Sequence, residues 1–167
     1  MFHAFDSSPG HRPTGRAEWM ALLARAPQDW LAERLGPVAG QAPRWLRRPE
    51  TGLMMVQGRV GGGGERFNLG EVTVTRCALR LPSAAEPAAT GVAYVLGRSH
   101  RQAELAAIAD ALLQDPAHQA ALEEQVLLPL RRQLAEAAAQ RHAKAQTTRV
   151  DFFTLAREAG GNEEEAE

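Results

Sequence analysis

The sequence has one cysteine, Cys77, so no intramolecular disulfide can form. That favours a reducing compartment, and the default place for such a thiol is the interior of a strand. No apolar run approaches the roughly 18 residues needed to span a bilayer. The N-terminus MFHAFDSSPGHRPTG lacks the basic region and apolar stretch of a signal peptide. Both absences point to a soluble, cytoplasmic protein. Charge of one sign is scarce too. The formal net charge is −1, with four glutamates, Glu163, Glu164, Glu165 and Glu167, at the C-terminal end. The body of the chain is only slightly basic, which argues against nucleic acid.

Several chemistries lack their residues. The five histidines, His3, His11, His100, His118 and His142, are dispersed without ligand spacing, which argues against a metal site built by this chain. The Gly61–Gly64 run is not followed by the Lys-Ser/Thr of a P-loop, and no strand-turn-helix context supports a dinucleotide fingerprint. Cys77 has no neighbouring histidine, and no serine-centred nucleophile motif appears. On residues alone the chain reads as a non-catalytic domain.

What is present is organised around ETGLMMVQGRVGGGGERFNLGEVTVTRCALRL, Glu50 to Leu81. Met54, Val56 and Val60 alternate on one face, four glycines interrupt, and Val72, Val74, Cys77, Leu79 and Leu81 resume the pattern. This predicts two strands joined by a glycine-rich turn. Four consecutive glycines exceed what a hairpin ordinarily requires, and they suit backbone at positive φ or in close approach to something else. Arg59, Gly61, Gly62, Gly63, Gly64, Glu65 and Arg66 are therefore candidates for a phosphate-binding or interface role, the alternative being a solvated hairpin loop. Val74 and Cys77 differ in parity, so the second strand is either covered on both faces or bulged near Arg76.

Around this centre the chain predicts helices. Trp19, Leu22 and Leu23 define one short helix stopped at Pro27, and Asp29 to Leu35 a second closed by Gly36-Pro37. Pro43 to Pro49 predicts a short edge strand, with Arg44, Arg47 and Arg48 either solvated or facing phosphate. After a loop from Pro82 to Thr90, Gly91 to Gly97 predicts a third strand. Ser99 and Gln102 read as a capping box for a helix from His100 to Gln114, with an apolar stripe of Leu105, Ile108, Ala109, Leu112 and Leu113. Asp115 caps the next helix, with Pro116 in its first turn. Pro129 should kink or divide that segment near Gln125 to Leu128. Beyond it, LAEAAAQRHAKAQ has high helix propensity and a weak apolar face. The whole predicts an α+β fold, a mainly antiparallel sheet with N-terminal and C-terminal helices packed on it. Residues 1–15 are expected to be a disordered leader, 16–159 a single domain, and 160–167 an acidic disordered tail. Val150, Phe152, Phe153 and Leu155 are apolar enough to need covering, by this domain or by another chain.

The blocks Arg16-Ala17-Glu18-Trp19-Met20, the whole of Glu50 to Leu81, Gly91 to Arg98 and Arg149-Val150-Asp151-Phe152-Phe153-Thr154 together resemble the G subunit of the bacterial carbon–phosphorus lyase system, the PhnG family of alkylphosphonate catabolism. The resemblance implies a subunit of ribose 1-methylphosphonate 5-triphosphate synthase. In that picture the G subunit joins the H, I and J subunits in a core complex and acts with I, H and an ATPase-like L subunit to displace adenine from ATP by a phosphonate. It implies no cofactor bound by this chain, with ATP as substrate of the complex, and no membrane or nucleic-acid partner. The I subunit carries the ribosyl-transfer activity in that picture, and Asp151, Phe152 and Phe153 are candidates for docking on it. The alternative is an independent phosphate- or nucleotide-binding module without catalysis.

Overall fold

In a computed structural model, residues 14–37, 42–82 and 88–148 are described. The element order is α1 (Arg16–Leu23), α2 (Gln28–Leu35), β1 (Arg44–Arg59), β2 (Arg66–Arg80), β3 (Thr90–Leu96), α3 (His100–Leu113), α4 (Pro116–Leu122) and α5 (Leu128–Gln146). The strands form one antiparallel sheet in the order β1-β2-β3, and the helices lie over one face. The α+β expectation is correct, and β2 is the central strand.

Alternation explains the core. Thr75, Cys77 and Leu79 on β2, Leu81 just beyond it, and Ala93 and Val95 on β3 point to the helices and are buried. Facing them is the alanine-rich helix α3, which is buried nearly all round between sheet and helices, with Ala103, Leu105, Ala106, Ala107, Ile108, Ala109 and Ala111 all buried. Small side chains let helix and sheet approach closely. At Gly91 a Cβ would lie 2.0 Å from the carbonyl oxygen of Ala107, so only glycine fits. Trp19, Leu22 and Leu23 of α1 and Leu31 and Leu35 of α2 complete this core together with Val126, Leu127 and Leu130, and Arg34 of α2 donates to the Gln125 carbonyl beside them.

Several local expectations change. The predicted edge strand at Pro43–Pro49 is continuous with the next, giving one 16-residue β1 along the sheet edge. Pro49 is tolerated because the register shifts between Arg47 and Glu50, where the ladder is already broken. No bulge occurs in β2 near Arg76; the irregularities opposite it lie in β1, and Val74 is buried apart from the helix-covered core. Val60 does not continue the Met54 and Val56 face but opens the turn. At α3, Ser99 accepts from the Gln102 N–H at 3.2 Å. The Gln102 amide does not complete the box but reaches the Ala26 carbonyl at 2.9 Å, tying α3 to the α1–α2 connection. Asp115 caps α4 through the Ala117 N–H at 3.0 Å. Before Pro129 the helix widens into a π turn, Glu123–Leu127, which accommodates the missing proline N–H without ending the segment. Thr14, within the expected leader, is buried and hydrogen-bonds Glu123 and Arg131. The docking candidates Asp151, Phe152 and Phe153, and the acidic tail, lie outside the described residues.

Candidate functional site

The hairpin outruns the rest of the sheet. Pairing of β3 with β2 stops at Leu96 opposite Val74, whereas β1 and β2 stay paired out to Arg59 opposite Arg66. The seven residues Leu53–Arg59 thus rise roughly 23 Å at about 3.3 Å per residue as a two-stranded ribbon. Two strands alone are marginal in water, so this ribbon depends on what it leaves and what it meets.

Its root is pinned by a directional chain of polar groups. The buried Thr75 hydroxyl donates to the Gly97 carbonyl at 2.7 Å, so its oxygen is left to accept from Thr51 at 3.1 Å. With its proton so used, the Thr51 hydroxyl accepts from the His100 ring at 3.1 Å, which places the proton on Nε2. One line of hydrogen bonds therefore joins β1, β2, the end of β3 and the start of α3.

Beyond the root both faces are apolar. In-register alternation puts Met54, Val56, Val72 and Phe67 on one face and Leu53 and Met55 on the other. A register shift between Val56 and Gln57 leaves Leu69 unpaired as a bulge. Leu53 is 67% and Leu69 66% exposed, with Met54, Met55, Val60 and Phe67 also open to solvent. On the helix-free face this surface runs on to Tyr94 and to Leu96, 70% exposed. Apolar surface of this extent on a described fold marks a place of contact rather than ordinary scatter.

The tip explains its glycines. Gly61 and Gly62 have φ of 58° and 81°, and a Cβ on Gly64 would lie 2.8 Å from the Val60 oxygen. Three of the four glycines are thus required by the turn itself, while Gly63 meets nothing. The N–H groups of Gly63 and Gly64 both turn inward to the Val60 carbonyl. Charge at the tip comes instead from side chains: Arg59 and Arg66 are direct cross-strand partners, and Arg59 donates to the Gly64 carbonyl at 3.0 Å. Like charges held opposite each other destabilise a hairpin by themselves. Further down β1, Glu50 receives both Arg76 at 2.8 Å and Arg47 at 2.6 Å, which hold its carboxyl below the usual range. Arg47 is therefore engaged within the sheet, while Arg44 and Arg48 sit exposed along the edge.

A second polar centre closes the opposite edge. Asp110, fully buried on α3, accepts from Trp19 Nε1 at 2.8 Å, Arg16 Nη2 at 2.8 Å and the Val92 backbone N–H at 2.9 Å. Arg16 and Gln114 both donate to the Thr90 carbonyl. The hydrogen bond to Asp110 raises the Arg16 guanidinium further above its already high range. Sequence reasoning did not single out Asp110. Its signal was one carboxylate inside an alanine-rich apolar helix, with Arg16 and Trp19 spaced to reach it from α1. Burial pushes the Cys77 thiol up to about 12, and the thiol donates to the Ala103 carbonyl at 3.2 Å, so it is a packing group and not a nucleophile. Among the described residues no group of three histidines, cysteines or carboxylates is placed to hold a metal ion, and no helix is long and apolar enough to cross a membrane.

A helix-backed sheet with one bare face and an uncovered ribbon has the form of a component completed by other chains. The comparisons with known proteins agree. The model of the family described as phosphonate metabolism protein PhnG matches residues 14–158. The chain is also 45% identical, over 94% of its length and 98% of the relative's, to the alpha-D-ribose 1-methylphosphonate 5-triphosphate synthase subunit PhnG of Rhizobium meliloti (strain 1021). This chain belongs to the PhnG family, and it is a subunit of an enzyme complex of phosphonate metabolism.

Proposed function

We propose that the chain is the non-catalytic G component of the carbon–phosphorus lyase core complex in the bacterial cytoplasm. It assembles with the H, I and J subunits and acts with I, H and the ATPase-like L subunit to support transfer of the ATP-derived ribose 5-triphosphate to an alkylphosphonate with release of adenine. The reaction class is a transfer; ATP is a substrate of the complex, and this chain carries no cofactor of its own. The observation that carries this reading is the 45% identity across nearly the full length of a protein named as a subunit of that synthase. The geometry supports a supporting role: the surface that the fold leaves open is an apolar ribbon tipped by two guanidinium groups, while the thiol is buried and protonated. Arg59, Arg66 and the turn Gly61–Glu65 face phosphate or a partner in the assembled complex, and Asp151, Phe152 and Phe153 dock on the I subunit.

Co-expression with the other subunits, followed by phosphorus NMR of ATP and methylphosphonate mixtures, tests it. Ribose 1-methylphosphonate 5-triphosphate is expected only when this chain is included, and not from this chain alone. Full product formation without the chain, or turnover by the isolated chain, rejects the reading.

A further inference from the structure

We infer that the ribbon Leu53–Thr73 is a docking arm that inserts between surfaces of a different subunit, into an apolar groove rimmed by carboxylates. The inference rests on the subunit reading above and deepens it by naming the contact surface. Insertion, rather than laying one face down, follows from the pattern of side chains. Leu53 and Met55 project from one face and Met54, Val56 and Phe67 from the other, so covering one face alone leaves the second in water. The neighbouring core, sheet and helices stop short of this region, because β3 ends opposite Val74.

Charge decides which kind of chain provides the groove. From residue 44 to 80 the hairpin carries seven arginines against three glutamates, a net charge of +4 that lies wholly at the root, in Arg44, Arg47, Arg48, Arg76 and Arg80 against Glu50, while the arm itself sets Arg59 and Arg66 against Glu65 and Glu71. Glu50 is already engaged by Arg47 and Arg76. At the tip, Arg59 and Arg66 face each other across the strands, an arrangement relieved by an anionic neighbour. A second copy of this chain is a poor occupant. A two-fold pairing of β1 edges centred on the strand sets Arg44 of one copy against Arg59 of the other, and both copies bring the same basic edge. Acidic groups on a different chain meet both needs, giving the apolar centre and charged rim typical of specific interfaces.

The test uses the full-length chain co-expressed with the other synthase subunits, in wild-type form and as two double variants, Leu53→Ser/Leu69→Ser and Arg59→Glu/Arg66→Glu. Each isolated variant is first melted by circular dichroism, and retention of partners on the tagged chain is then measured. The expected result is wild-type melting with retention reduced at least about tenfold in both variants, equivalent to about 1.4 kcal/mol. Hydrogen exchange supplies a readout free of mutation: amides of Leu53 to Leu69 are expected to exchange at least about tenfold more slowly in the complex than in the isolated chain. Wild-type retention by both variants, or equal exchange in the two states, overturns the docking arm while leaving the subunit reading intact. An isolated wild-type dimer that Leu53→Ser/Leu69→Ser dissociates overturns it in favour of a second copy. If the apolar variant fails to fold, the charge variant and hydrogen exchange decide. Wild-type chain that retains no partner defeats the subunit reading itself.

Discussion

The Asp110 carboxylate accepts the Val92 backbone N–H at 2.9 Å, so a helix side chain stands where the carbonyl of a fourth strand would stand. The free edge of β3 is thereby capped at Val92 from within the chain, which is one way a sheet limits pairing with strangers. Replacing Asp110 by alanine leaves Trp19 Nε1 and the Val92 N–H without acceptors in a buried place. Hydrogen bonds to a charged group contribute about 1.5–3 kcal/mol each, and the half-exposed Arg16 adds little. Asp110→Ala is expected to lose about 3 kcal/mol in urea unfolding; a loss under about 1 kcal/mol would show the network to be dispensable.

The Thr75 chain makes a separate prediction. Thr75→Val keeps the shape but takes the donor from the part-buried Gly97 carbonyl and releases the exposed Thr51 hydroxyl. The expected cost is about 1–2 kcal/mol. Nitrogen NMR of His100 should find the neutral ring protonated on Nε2 in the wild type, and this preference should weaken in the variant, because Thr51 regains freedom to donate.

Two glycine substitutions should behave oppositely. Gly91→Ala forces β3 and α3 apart against backbone and is expected to cost about 2–3 kcal/mol, the upper part of the overpacking range. Gly63→Ala, in open space with φ of −117°, should change stability by no more than about 0.5 kcal/mol. Comparison of the two melting temperatures checks both at once.

Cys77 links stability to alkaline pH. Its thiol is raised from 9.0 to about 12 by burial, so the folded protein keeps the proton that the unfolded chain loses. The unfolded state then binds fewer protons, and stability falls as pH climbs from about 9 toward 12. Below that window the contribution is fully present. A thiol reagent at pH 8 should label the native protein slowly and the urea-unfolded protein at once; Cys77→Ala should flatten the pH dependence between 9 and 11.

Much of the fold was legible because local signals agreed. Asp115-Pro116 and Ser99 marked helix starts, and the parity of Cys77, Leu79 and Leu81 marked the core face of β2. The continuity of β1 was not legible, since proline at position 49 argues for a break and only the coincident register shift removes that objection. Within the candidate site, the glycine turn was visible, but its inward N–H groups depend on backbone angles that composition does not dictate. The arm was half visible: Leu53, Met54, Met55 and Val56 are apolar at both parities, the signature of a strand buried on two sides. In the isolated chain nothing buries it, so sequence described an environment that this chain does not itself provide. Asp110 was hidden because its donors come from α1 and β3, brought together only by the tertiary fold.

The π turn at Glu123–Leu127 fixes the angular setting of everything that follows. It holds one residue more than a regular turn, and each residue of an α-helix advances the side chains by about 100°. Removing the exposed Glu124 lets regular bonding run through with α5 kept in phase, because the wide turn spends its extra residue on about the angle that one residue fewer covers in an α-helix; the same loss from the regular turn that follows would carry Leu130 out of the core and Arg131 away from Thr14 and Glu18. Beyond Leu134, where α5 is almost wholly exposed, losing one residue turns nothing that the body holds. Loss of one residue should therefore be tolerated at Glu124 and from 138 onward and purged from 128–130, a contrast that a library of single-residue deletions would read directly.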